Sequence, residues 1–265
     1  MSTLNKTSIP IQTSYRKTWR GFNWWILALS VAVVFLLSAC GGDTPTAPDP
    51  KALLQDAQKA LSTDTTYHYK FKVEHAGTGG ASGFQVTAAD GDVVQPNKVQ
   101  GTGTVSVGGA SIEAQFIGIG QDQWVLAPPL VSEWTSVKDL NLNLGTALSD
   151  PTGSVTKVLQ EMQQPKNQGD DTIPGDGDCW VVEGTVPAGA LAGITGGDPN
   201  STAPLDTTVC VAKNLDSGKL RQLFELSLKG IAIDGDTAQT TRTFTFTKFN
   251  ASVDIQPPPG ATVTP

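Results

Sequence analysis

Histidine is nearly missing from this chain: His68 and His75 are the only two in 265 residues. On a regular strand they point to opposite faces, so a histidine dyad or a histidine-bound metal is poorly supplied. No Gly-x-Ser-x-Gly elbow, Walker A loop or His-Glu-x-x-His occurs. Ser154-Val155-Thr156-Lys157 matches Ser-x-x-Lys, but the companion Lys-Thr-Gly and Ser-Asp-Asn motifs are missing, so the match carries no chemistry. The acidic stretch Asp170-Asp171 to Asp176-Gly177-Asp178 lacks the alternation and closing glutamate of a calcium loop and reads as a solvated loop. The expectation is no catalytic residue, no metal and no cofactor. Long hydrophobic runs are lacking too. The one apolar stretch, Trp24 to Leu37, would reach about 21 Å as a helix, short of the ~30 Å hydrocarbon core of a bilayer.

That short stretch has a different use. Before it lie Lys6, Arg16, Lys17 and Arg20, and residues 1–39 hold no acidic residue. Charge followed by grease is the order of an export signal. It ends in Leu37-Ser38-Ala39-Cys40, which resembles the bacterial lipobox, where cleavage precedes a cysteine that takes a diacylglycerol. Residues 1–39 therefore read as a lipoprotein signal peptide and Cys40 as the lipid anchor. Two or three acyl chains at ~0.8 kcal/mol per buried methylene hold a protein durably on a membrane. The expected location is extracytoplasmic, at the cell surface or in a periplasm.

Removing the four basic residues of 1–39 leaves fourteen Lys plus Arg against 25 Asp plus Glu, a formal charge of −11. Nucleic acid is a poor partner for such a surface, and the membrane is reached through the acylated cysteine rather than a basic patch. Cys179 and Cys210 remain as an even pair where disulfides persist. Each sits in a strand-like run; a bridge is the expected state, with two buried free thiols as the alternative.

Residues 40–50 form the lipidated cysteine and a flexible tether rich in proline and glycine, and 51–265 read as one domain. Asp49 and Pro50 mark a helix start, and Leu53, Leu54, Ala57, Ala60 and Leu61 form its stripe. Tyr67, Tyr69, Phe71 and Val73 alternate with His68, Lys70, Lys72 and Glu74, the period-2 pattern of a sheet with one wet face. Further strands are expected at 98–107, 111–119, 123–127, 179–186, 206–212, 219–228 and 240–255, with turns at Asp90-Gly91, Gly108-Gly109, Ser217-Gly218 and Asp234-Gly235. A second helix is expected over 151–164, where Val155, Val158, Leu159 and Met162 form a stripe, and a short third over 187–191. The fold class is α+β, an antiparallel sheet with a few helices on one face.

Lipobox, tether, amphipathic helix, aromatic first strand, meandering strands, a central helix, more strands and the end Pro257-Pro258-Pro259-Gly260-Ala261 together resemble the LppX/LprAFG family of bacterial lipoproteins, over about residues 50–260. The resemblance implies a fold like that of the carriers LolA and LolB: a strongly curved, unclosed β half-barrel over helices, with a lipid-sized apolar cavity between. It implies binding and carriage of lipids or lipoglycans in the envelope without catalysis, with a transporter or a donor and an acceptor membrane as partners. Periodicity alone reads the two stripes as a closed core. With the resemblance, Tyr67, Tyr69, Phe71, Val73, Val155, Val158, Leu159 and Met162 become the expected cavity lining. A sensory module of the same fold that binds a protein, or a surface domain with a closed core, are the rival readings.

Overall fold

The Asp49 carboxylate caps the first helix, accepting from the Ala52 amide at 3.3 Å, and Pro50 takes the first helical position, where no N–H is needed. This helix, α1 (Pro50–Thr63), buries all five residues of its apolar stripe. The computed structural model describes residues 47–77, 84–137, 148, 153–173, 177–213 and 220–263. Among these, six strands follow α1: β1 (Thr66–Glu74), β2 (Phe84–Val94), β3 (Lys98–Val107), β4 (Ala110–Ile119), β5 (Asp122–Ala127) and β6 (Val131–Ser136). After α2 (Ser154–Glu161) come β7 (Gln163–Ile173) and β8 (Gly177–Pro187). A 3-10 turn at Ala188–Leu191 leads into the single-turn α3 (Ala192–Thr195), and β9 (Pro204–Ala212), β10 (Leu223–Lys229) and β11 (Thr241–Thr247) complete the set.

The eleven strands make one antiparallel sheet in the order β6-β5-β4-β3-β2-β1-β11-β10-β9-β8-β7. The chain builds outward from β1 to one edge, then restarts at the other edge and returns to pair β11 with β1. β6 and β7 remain as edges, so the half-barrel is unclosed. Register slips at Val86/Ala88 in β2 and Val125/Ala127 in β5 are bulges, which bend a strand and steepen its twist.

Alternation assigns the faces. Tyr67, Tyr69, Phe71 and Val73 turn toward the helices; His68, Lys70, Lys72 and Glu74 turn outward. The helix-side face of β7–β11 is filled by Trp180, Val182, Val209, Leu226, Phe244 and Phe246, which share one core cluster with α1 and α2. Helix–strand contacts concentrate on β7–β10. On the outer face, Cys179 and Cys210 form a disulfide between neighbouring strands with Cα atoms 5.5 Å apart. Closing a loop with a sequence separation of 31 stabilises by roughly 3 to 4 kcal/mol in the chain-entropy account.

Several boundaries differ from the sequence expectation. Asp90-Gly91, expected as a turn, lies inside β2, because a glycine is required there for close approach to β3. Asp170 and Asp171, expected in a loop, lie on β7 opposite Trp180 and Cys179. β2, β6 and β7 lie where no strand is expected, and β11 stops at Thr247 rather than running to Ile255. Lys248 (φ 50°) and Asn250 (φ 57°) take left-handed backbone there and end the ladder. The following tail crosses the outer face, where fully buried Ile255 packs with Ile119 and Trp124, and its carbonyl accepts from Lys98 Nζ at 3.1 Å. α2 begins at Ser154 behind Gly153; Asp150 and Pro151, its expected start, and Ser217-Gly218 lie outside the described residues.

Candidate functional site

Among the described residues, helix–strand contacts fall on β7–β10 and not on the β2–β6 half of the helix-side face. The register defines which side chains face that side. Val86, Val105 and Ile112 stand in one cross-strand row, and Gly103 and Ala114 in the next. Gly101, Phe116 and Val125 follow, then Val99, Gly118 and Gln123. Apart from Gln123 every one is apolar or a glycine, and the rows line an apolar cavity of about 330 Å³. That is at the low end of the ~300–1,000 Å³ typical of ligand clefts. Val107, Leu130 and Val131 continue its wall toward one end of the strands, and Val137 stands beside Gln123 at the other.

Beside the hollow, two glycines bring β2 and β3 into direct main-chain contact. Gly91 and Gly101 are paired across β2 and β3. A Cβ on Gly91 would stand 2.1 Å from the Gln100 carbonyl oxygen; one on Gly101 would meet the Asp90 carbonyl oxygen at 2.5 Å and Cζ of Phe116 at 2.9 Å. Only glycine permits that approach. Gly103 and Gly118 add two further positions on the same face where no side chain reaches into the space.

A larger depression of about 990 Å³ has a different character. Charged Lys70, Lys72, Glu74, Asp90 and Glu113 stand there beside apolar Phe71, Ala89 and Leu126, so its lining is mixed. His68 sits on the outer face between two carboxylates, Nδ1 at 2.8 Å from Asp92 and Nε2 at 3.2 Å from Asp90. These hold β1 to β2, and among the described residues no group of three or more His, Cys, Asp or Glu is placed to hold a metal ion.

The residues expected to line a cavity are gathered, but elsewhere. Tyr67, Tyr69, Phe71, Val73, Val155, Val158, Leu159 and Met162 are all at most 9 % exposed and belong to one cluster with α1. Both stripes belong to that one cluster, and none of the eight lines the apolar cavity of about 330 Å³. The cavity abuts them: Val99 belongs to that cluster, and Val86 and Phe116 pack against it. Tyr67 donates its hydroxyl proton to the Leu148 carbonyl. Burial pushes the hydroxyls of Tyr67 and Tyr69 well above the usual phenol range, with the Asp64 carboxylate adding to Tyr67 and the Tyr67 hydroxyl to Tyr69. Tyr69 Oη finds no partner among the described residues. Cys40 lies outside the described residues.

The lining residues of β3–β6 escaped the sequence reading. Their signal was Val99, Gly101, Gly103, Val105 and Val107, apolar alternation interrupted by two glycines on one face of a strand. Glycine inside a strand marks a bulge, a bend or a close approach by a backbone or a ligand.

The fold has solved counterparts. The structure of LprF from Mycobacterium bovis matches with a TM-score of 0.64 at 21% identity, covering 81% of this chain and 99% of that one. LppX from Mycobacterium tuberculosis matches with a TM-score of 0.54, also at 21% identity, over 79% of this chain and 100% of that one. At such identities the likeness speaks for the fold alone. No curated protein sequence matches the chain. The model of the LppX/LprAFG lipoproteins, in contrast, matches residues 49–255, nearly the full length of the described sheet and helices. The chain belongs to the LppX/LprAFG lipoprotein family.

Proposed function

We propose that this chain is a non-enzymatic carrier of lipids or lipoglycans in the cell envelope. Residues 1–39 act as the signal peptide, residues 40–50 as acylated Cys40 and tether, and 51–265 as the single lipid-binding domain. The observation that carries the reading is the apolar cavity on the helix side of β2–β6. A space walled by valines, Phe116 and glycines selects hydrocarbon, since it offers almost nothing to a polar group. Each methylene buried there contributes ~0.8 kcal/mol, part of which offsets the cost of ordering the chain. The eight stripe residues enter as the back wall: Val99, Val86 and Phe116 touch both the cavity and their cluster, so a longer acyl chain would press on Tyr67, Tyr69 and Phe71. A ligand carbonyl reaching Tyr69 would give its hydroxyl the partner it lacks among the described residues. Exchange then runs between a donor and an acceptor membrane or an envelope transporter.

Native mass spectrometry of secreted residues 45–265, purified without detergent, tests this. A bound mass matching an acyl lipid is expected, and it should fall at least tenfold when Ala127→Trp fills the cavity. A bare mass that stays bare after mixing with envelope lipid extract would end the lipid reading and favour a protein partner.

A further inference from the structure

Three large hydrophobic side chains are exposed among the described residues: Val107 (36 %), Leu130 (64 %) and Ile231 (52 %). They lie far apart in sequence, yet the antiparallel order brings all three to one end of the sheet. Val107 ends β3, Leu130 precedes β6, and Ile231 follows β10. Two of them, Val107 and Leu130, also form the wall of the apolar cavity at that end. The adjoining hairpin tips are uncharged over 106–112, Ser-Val-Gly-Gly-Ala-Ser-Ile, and over 123–132, Gln-Trp-Val-Leu-Ala-Pro-Pro-Leu-Val-Ser. At the opposite end of the same strands stand Lys98 and Asp122.

We propose that this end of the sheet docks on a lipid bilayer, the β3–β4 and β5–β6 tips dipping Val107 and Leu130 into the boundary between headgroups and acyl chains. The inference rests on the carrier reading, since it makes the cavity mouth the point of exchange. A protein interface surrounds its apolar centre with a polar rim and anchors it with aromatic or arginine side chains. The exposed tip residues 107–111 and 128–132 include no charged, aromatic or arginine residue. A hydrocarbon boundary asks only for apolar side chains at the lip of the space the lipid must enter. The excess of Asp and Glu over Lys and Arg makes attraction to anionic headgroups unfavourable, so docking should not depend on them.

The test uses the mature chain as the cell makes it, bound to phosphatidylcholine vesicles, with an environment-sensitive fluorophore on Leu130→Cys or, as the opposite-end control, Gln121→Cys. Lipids spin-labelled near the top of the acyl chain should quench position 130 at least threefold more than 121, unchanged by 0.5 M salt or by added anionic lipid. Equal quenching at 130 and 121 overturns the proposal, as does protection of position 130 only when a protein partner is added. In a second measurement, Ala110→Glu, an exposed tip substitution outside the cavity wall, should slow lipid transfer between vesicles about fivefold at unchanged occupancy. An unchanged rate counts against docking. Quenching at 130 in a chain that carries no lipid would leave docking standing and remove carriage; a loaded chain with no quenching at 130 would do the reverse.

Discussion

Strands β8–β11 and strands β2–β5 both carry apolar side chains on the helix-side face, and among the described residues only the first set is filled. Trp180, Leu226, Phe244 and Phe246 meet α1 and α2 and close a core. Val86, Val105, Ile112 and Val125 meet glycines and space. Hydrophobicity is therefore common to both halves, and side-chain volume together with helix placement separates a core from a cleft. The disulfide sits on the full side, between β8 and β9.

The sharpest way to break this comparison is to delete volume on each side. Phe246→Ala, in the closed core, should cost about 3 to 5 kcal/mol, whereas Val105→Ala, at the cavity wall, should cost roughly 1 kcal/mol or less. Urea unfolding of both variants decides; equal losses would mean that the β2–β6 half is packed as tightly as the other. Replacing Cys179 and Cys210 together by serine should lower stability by roughly 3 to 4 kcal/mol, read from the same titration under oxidising conditions.

Adding volume should act in the opposite sense on the two sides. Ala127→Phe is expected to change stability by under ~1 kcal/mol, filling empty space, while Ala57→Phe beneath α1 should overpack and cost about 1 to 3 kcal/mol. A large loss from Ala127→Phe in a melting curve would contradict a hollow.

The smallest effect concerns the junction of α1 and β1. Asp64 is 7 % exposed; its Oδ1 accepts from Asn250 Nδ2 at 2.6 Å and its Oδ2 has no partner among the described residues. Burial raises its carboxyl above the usual value, more than the bonds to Asn250 and Gln222 lower it. The folded state thus holds that proton more tightly than the unfolded state. The resulting penalty is full at neutral pH and is relieved as pH falls through the raised value toward the unfolded one near 4. Asp64→Asn should gain roughly 1 kcal/mol at pH 7, with the gain shrinking by pH 4.5. A gain independent of pH would point to the helix end rather than to ionisation.

The α1 cap, its stripe and the facing of β1 were readable because each rests on neighbours in sequence: Asp49 and Pro50, or Tyr67 to Val73 at period 2. The bridge between Cys179 and Cys210 followed from parity and compartment. The apolar cavity lies beside the expected stripes for a physical reason. Periodicity reports which face is apolar, and the strongest apolar faces, those of β1 and α2, are drawn into the packed cluster. An empty volume leaves its trace in what is small, Gly103, Gly118 and Ala114, and small residues score weakly in any search for amphipathic stripes. β6 and β7 escaped because their exposed, polar alternation is that of edges, which looks like loop until pairing is known.

The paired glycines Gly91 and Gly101 lie near the boundary between the two halves. At that pair the two main chains touch directly, while Val93 with Val99 and Val86 with Val105 meet across the same two strands on either side. At this one pair the sheet is no thicker than its own main chain, and the ring of Phe116 leans over the gap.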